Sequence, residues 1–308
     1  MKSPRNIGIE LLRCLAMLSV CVGHAVKMTG YGAGWEGRLF AWDVATFAFI
    51  SGYYGIRFRP RRLLELWALA AVMVAVPAAL SDWSNWKTFL FSNWFLNAYT
   101  ILMLFSPVLN LAVRHWNDDG RRVSVLLPAL ALMAWAWAGE AYGFREFVPR
   151  VPGFGRQSAW ALIFIYLGAS AVRELGLIDR LRPWQWGALL VCLFPLNAIV
   201  GANTSLVTFA TSVSLFALFA RLKVAERVGR CVLFVVPSLF SVYLIHTNEV
   251  GYRWLTTVIE WIMGEGGQIF RWPAMVAAGV VVFLLCLAID FLRRLALGVV
   301  RRLCKAIG

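Results

Sequence analysis

The chain has 308 residues, 60% of them hydrophobic and 15% charged, and its mean hydropathy is +0.70. Soluble domains average about 25% charged and 45–50% apolar residues, so this composition excludes an ordinary soluble fold and points to a chain solvated mostly by lipid. Thirty Lys and Arg against 16 Asp and Glu leave a formal charge of +14. The basic residues form short clusters between apolar runs, with no zinc-finger, helix-turn-helix or RNA-module pattern, so nucleic acid is set aside as a partner.

A hydrocarbon core about 30 Å thick needs about 20 mostly apolar residues per helix. In chain order the candidate runs are residues 7–26, 39–56, 63–80, 93–113, 123–138, 158–172, 184–200, 204–220, 231–250 and 273–299. They are apolar all round, without the alternation of a membrane barrel. The expected fold is therefore all-α, a polytopic membrane protein of about ten transmembrane helices, the fifth, sixth and eighth of them short. Ten helices put both termini on one side. The termini and the loops on their side hold 21 Lys or Arg residues; the opposite loops hold eight, namely Lys27, Arg38, Lys87, Arg145, Arg150, Arg156, Arg253 and Arg271. The positive-inside rule then makes both termini cytoplasmic, with membrane lipids as partners and the surplus charge attracting anionic lipid or ligand.

The remaining basic residue, Arg13, lies inside the first run. It interrupts what would be the apolar stretch of a signal peptide, so that run is expected to stay as a span. The six cysteines show no C-x-x-C or Cys/His metal spacing, which predicts neither a structural disulfide nor a bound metal. No interspan loop exceeds about 25 residues, so residues 1–308 are expected to form a single transmembrane domain. Trp83, Trp86, Trp94, Trp184 and Trp186 fall near span ends, as interfacial anchors do.

Ionisable groups inside spans are costly and mark candidate sites. The first run carries Glu10, Arg13 and His24. At 100° per residue the eleven steps from Arg13 to His24 make three turns plus about 20°, so both leave one face, roughly 16 Å apart along the axis. Glu10 and Arg13, three residues apart, also suit a plain intrahelical ion pair that makes insertion tolerable. The alignment of all three on one stripe favours chemistry.

Four short motifs accompany that stripe: Glu10-x-x-Arg13 followed by ten residues and His24; Phe47-Ala48-Phe49-Ile50-Ser51-Gly52-Tyr53; Asn93-Trp94-Phe95-Leu96; and Val242-Tyr243-Leu244-Ile245-His246. In this order the set resembles the signature of the membrane acyltransferase type 3 family. Two details depart from the usual pattern: Glu10 stands where Asp is more common, and Thr247-Asn248 replaces a Pro after the late His. The resemblance implies transfer of an acyl group, usually acetyl from acetyl-CoA as co-substrate, to a hydroxyl of a glycan or glycolipid acceptor, with a bacterial inner membrane as the location.

A neutral imidazole can accept a hydroxyl proton at physiological pH, so His24 suits a general base for attack on a thioester. Glu10 is grouped with it as the acid that orients Arg13. Arg13 suits a phosphate or pantetheine carbonyl of the donor. Arg57-Phe58-Arg59-Pro60-Arg61-Arg62 supplies guanidinium forks on the cytoplasmic side, with Arg57, Arg59 and Arg61 as donor-binding candidates beside the simpler reading of a stop-transfer cluster. Supporting candidates are Asp43, which could orient His24 if the helices are neighbours; Ser51, beside the packing glycine Gly52; Trp94, which could stack on a sugar; and Tyr243 and His246, one turn apart, which could line an acceptor site. Asp290 with Arg293 and Arg294 reads as structural. The main rival is a transporter or flippase for an anionic lipid or sugar that uses Glu10, Arg13 and His24 as a relay; the paired broken helices of such proteins are not found in this sequence. A third reading, a scaffold in a polysaccharide-synthesis complex, leaves the stripe without a purpose.

Overall fold

The computed structural model describes residues 5–28, 34–80, 93–118, 127–134, 159–203, 205–263 and 271–307. Their regular structure is all helical: α1 (Ile7–Val26), α2 (Trp35–Leu39), α3 (Trp42–Tyr54), α4 (Pro60–Leu80), α5 (Trp94–Asp118), α6 (127–134), α7 (Ala159–Glu174), α8 (Leu177–Arg180), α9 (Pro183–Val200), α10 (Leu206–Ala220), α11 (Glu226–Val235), α12 (Leu239–His246), α13 (Glu249–Met263) and α14 (Arg271–Ile307). Five stretches of them are long and apolar enough to cross a membrane: Ile7–Val26, Trp94–His115, Pro183–Val200, Glu226–His246 and Arg271–Val299. Leu206–Ala220 is apolar but shorter. Half of the fifth expected span lies outside the described residues, as do Trp83 and Trp86.

α1 is the organising element. It packs against α3, α10, α11 and α14 and contributes to two hydrophobic clusters. Ile9 and Leu12 join Phe49, Tyr166, Phe209 and Phe216 on one side, where aromatic rings meet edge to face, as in Phe49 against Phe209 and Phe216. Met17, Val20 and Cys21 join Tyr243, Leu244, Met275 and Cys286 on the other. The stripe that carries Arg13 and His24 is therefore enclosed by neighbours along much of its length.

Two departures from the expected spans have local causes. The run expected to continue from residue 231 to 250 is broken by a 3-10 turn at Val236–Ser238, because Pro237 has no N–H to give the helical ladder. The chain then stops at Thr247 and starts again as α13, in what reads from the sequence as a loop. Asn248 opens that helix by accepting the Gly251 N–H at 2.8 Å, the bond of an N-cap. The fourteenth helix is 37 residues long, well beyond its expected apolar run.

Candidate active site

The first half of the site is built at the start of α1. The side chain of Asn6 accepts the Ile9 N–H at 3.2 Å to begin the helix, and its amide donates to Ala220 O at 2.7 Å, which fixes α1 to the end of α10. One turn later Arg13 Nη1 donates to both carboxylate oxygens of the buried Glu10, at 3.0 and 3.1 Å. Glu10 thus meets Arg13 rather than a cavity, while Arg13 lines a cavity of about 350 Å³ with Ser51, Tyr54, Arg57, Arg62 and Tyr99.

Of the basic cluster, the structure brings Arg57 and Arg62 to this cavity. Arg59 is exposed and does not line it. Arg61 is turned to the outer face of α4, where its Nε donates to Glu65 at 2.9 Å one helical turn on. Ser51 lines the cavity too, with its hydroxyl donating to Phe47 O at 2.9 Å.

The second half lies at the far end of the same helix. There His24 lines a cavity of about 190 Å³ together with Lys27, Arg38, Asp43, Trp94 and Asn203. Asp43 is buried and does share this cavity with His24, but the partner of His24 Nδ1 is His246, whose Nε2 stands 3.0 Å away. His246 is fully buried, and its Nδ1 lies 2.6 Å from Val242 O.

Those two bonds fix the proton positions. A carbonyl oxygen only accepts, so His246 Nδ1 carries the hydrogen, and neutral His246 presents a lone pair at Nε2. His24 must then donate from Nδ1, which leaves its own Nε2 as the basic nitrogen. Cys21 Sγ lies 3.9 Å from His246 Nδ1 and the Tyr252 ring 5.8 Å from the His24 ring, so both close the back of the pair.

Tyr243 does not line the cavity. Its ring packs edge-on to His246 and its hydroxyl accepts the Phe95 N–H at 3.3 Å, while Thr247 Oγ1 donates to Asn93 Oδ1 at 2.8 Å. These contacts hold the segment bearing Trp94 against the end of α12. Two motifs about 150 residues apart in the chain thereby meet beside the third, on α1.

A family model described as an acyltransferase domain matches residues 6–291. The chain belongs to the acyltransferase 3 family. The match spans every residue of both cavities, and gives no support to the transporter reading. No curated protein and no solved structure matches the chain. The acyltransferase family and the apolar helices together make this an integral membrane acyltransferase. Among the described residues no three His, Cys, Asp or Glu side chains group closely enough to hold a metal ion, and Cys14, Cys21, Cys192, Cys231 and Cys286 are free thiols.

Several lining or supporting residues escape the sequence reading, among them Arg62, Asn203, Cys21 and Tyr252. Arg62 belongs to a cluster in which any arginine could have faced inward. Asn203 lies between two expected spans. Cys21 is three residues from His24 on α1, and that spacing is a usable signal for a shared face. Tyr252 sits on α13, a helix without an uninterrupted apolar run.

Proposed function

We propose that the protein is a membrane O-acyltransferase that moves an acetyl group from cytoplasmic acetyl-CoA to a hydroxyl of an extracytoplasmic or lipid-linked saccharide, in a bacterial inner membrane with both termini cytoplasmic. The observation that carries this reading is the pair of cavities at opposite ends of α1, one lined by Arg13, Arg57 and Arg62, the other by His24 backed by His246. Guanidinium forks suit phosphate oxygens, so the first cavity fits the donor. Lone-pair nitrogen with a buried hydrogen-bond partner suits proton transfer, so the second fits the reacting hydroxyl.

In this scheme Arg57 and Arg62 hold CoA phosphates at the cytoplasmic mouth. Arg13, held by Glu10, meets a phosphate or pantetheine carbonyl. The pantetheine arm follows α1 for roughly 16 Å, the rise between Arg13 and His24, and brings the thioester to the second cavity. His24 Nε2 takes the acceptor's proton as the hydroxyl oxygen bonds to the thioester carbon. The C–S bond then breaks, and the proton on His24 passes to the departing thiolate, giving CoA thiol and the acetyl ester. His246 receives the Nδ1–H of the imidazolium and holds the ring in the productive tautomer, the role a buried carboxylate plays in hydrolase triads. CoA stays on its own side of the membrane throughout.

Thiol release from acetyl-CoA tests the reading, measured on purified protein in detergent with a saccharide acceptor. His24→Ala is expected to abolish turnover with donor binding kept, and Arg13→Ala to weaken donor binding. Equal turnover in all three proteins sinks the site, and a wild type that does not bind acetyl-CoA sinks the function.

A further inference from the structure

The cavity beside His24 has a charge pattern that its position does not require. In the expected topology it opens away from the cytoplasm, on the side whose loops hold eight Lys or Arg residues against 21. Two of those eight, Lys27 and Arg38, line this one cavity. Lys27 follows His24 by three residues at the end of α1, on nearly the same face. A lysine there also suits the carbonyl end of the helix. Arg38 comes from a different element, the last turn of the short helix α2, yet it lines the same cavity.

Arg38 Nη1 donates to Ile199 O at 2.7 Å, a bond that anchors the guanidinium on α9 and uses one of its five N–H groups. The carboxylate lining the cavity is Asp43, and Lys27 acts on it electrostatically. Two cations against one carboxylate leave at least one positive charge of the lining in surplus. Trp94 adds an aromatic face and Asn203 an amide, the two surface types on which a pyranose ring and its hydroxyls settle.

Resting on the acyltransferase reading above, we infer that the acceptor is an anionic saccharide, bound with a carboxylate or phosphate oxygen against Arg38 and Lys27 while a hydroxyl of the same or the next sugar faces His24 Nε2. Binding of that anion neutralises the surplus charge in a cavity partly closed off from water, where charge pairing is worth more than on an open surface. A neutral hexose leaves the surplus uncompensated. Anion recognition is therefore built into the acetylation site and does not depend on the rest of the polymer.

The test uses the full-length protein in detergent with acetyl-CoA and three probes: an oligogalacturonate, the same oligosaccharide after reduction of its carboxyl groups, and a hexose 1-phosphate. Turnover is read as thiol release with mass detection of the acetyl ester, and binding as saturation transfer to the probe protons. We expect an anionic probe to exceed the reduced one at least tenfold in kcat/KM or in binding. The uronate and the phosphate arms distinguish the two anion sources. Arg38→Gln and Lys27→Gln should each reduce that discrimination severalfold through acceptor KM, and Arg38→Glu should move the preference toward a glucosamine oligosaccharide. Absence of any anion preference in both readouts overturns the inference, as does a preference that both glutamine variants retain in full. Failure to bind acetyl-CoA overturns the acyltransferase reading separately.

Discussion

His24 Nδ1 and His246 Nε2 face each other at 3.0 Å across 222 residues of chain, with the second ring fully buried and bonded in turn to Val242 O. In the proposed mechanism this arrangement gives His246 a positioning role, since it is fully buried and is not among the residues that line the cavity. Removing it as His246→Ala should lower kcat about 10²-fold or more while acceptor and donor KM stay near their wild-type values, on the scale seen when the partner of a catalytic or metal-bound imidazole is lost. An amide offers both an acceptor and a donor, so His246→Gln or His246→Asn should recover part of the loss. Steady-state thiol release decides it: a change confined to KM would return His246 to substrate contact.

The two kinds of arginine after α3 should separate in the same assay. Arg57 and Arg62 line the cavity with Arg13, whereas Arg61 is committed to Glu65 on an exposed face. Alanine at 57 or 62 is expected to raise the acetyl-CoA KM about tenfold, the loss of one charge-assisted contact of about 1.4 kcal/mol. Arg61→Ala should change it less than twofold, because exposed i,i+4 pairs contribute only about 0.3–0.5 kcal/mol. A uniform effect of all three would mean that the cluster acts as a diffuse field and not as a site.

Glu10 is nearly enclosed while the Arg13 side chain remains about one-third exposed, at 32%. Glu10→Gln keeps the shape and removes the charge that holds the guanidinium. The expected outcome is a severalfold rise in acetyl-CoA KM with kcat preserved, since Glu10 lines neither cavity and its carboxylate is taken up by Arg13. A fall in kcat at unchanged KM would restore Glu10 to the chemical step.

The stripe on α1 was legible because helical periodicity is a local property: Arg13 and His24 are placed on one face by the spacing alone. Proximity of the four motifs was not, since nothing local to Tyr243 or Trp94 says that the Phe95 N–H will meet the Tyr243 hydroxyl. The arginine cluster was half legible. Its charge is visible, but which guanidinium turns inward depends on where α4 begins, and its start at Pro60 sends Arg61 outward and Arg62 to the cavity. α13 escaped because hydropathy weighs apolar length, whereas Thr247-Asn248 acts through capping and interrupts an apolar run that otherwise reads as continuous. Tyr252 reaches His24 as a result of that break.

Close approach of α3 and α7 gives a last contrast, because α3 carries Ser51 and Tyr54 of the cavity beside Arg13. A Cβ on Gly52 would run into the Tyr166 backbone, and Ser170 Oγ already donates to Gly52 O at 2.9 Å. On the next turn the Tyr166 hydroxyl accepts the Ile56 N–H at 2.9 Å and donates to Asn110 at 2.6 Å, so α3 cannot slide away without losing bonds at the cavity edge. Gly52→Ala should therefore destabilise by about 1–3 kcal/mol, as overpacking does, and should raise the acetyl-CoA KM because Ser51 and Tyr54 move with the helix. Gly187, in α9, has open space where its Cβ would go, so Gly187→Ala should be neutral or stabilising by up to about 1 kcal/mol. Thermal unfolding of both variants in the same detergent, followed by donor titration, checks the pair: equal melting temperatures would show that the helix crossing has room that its backbone contacts deny.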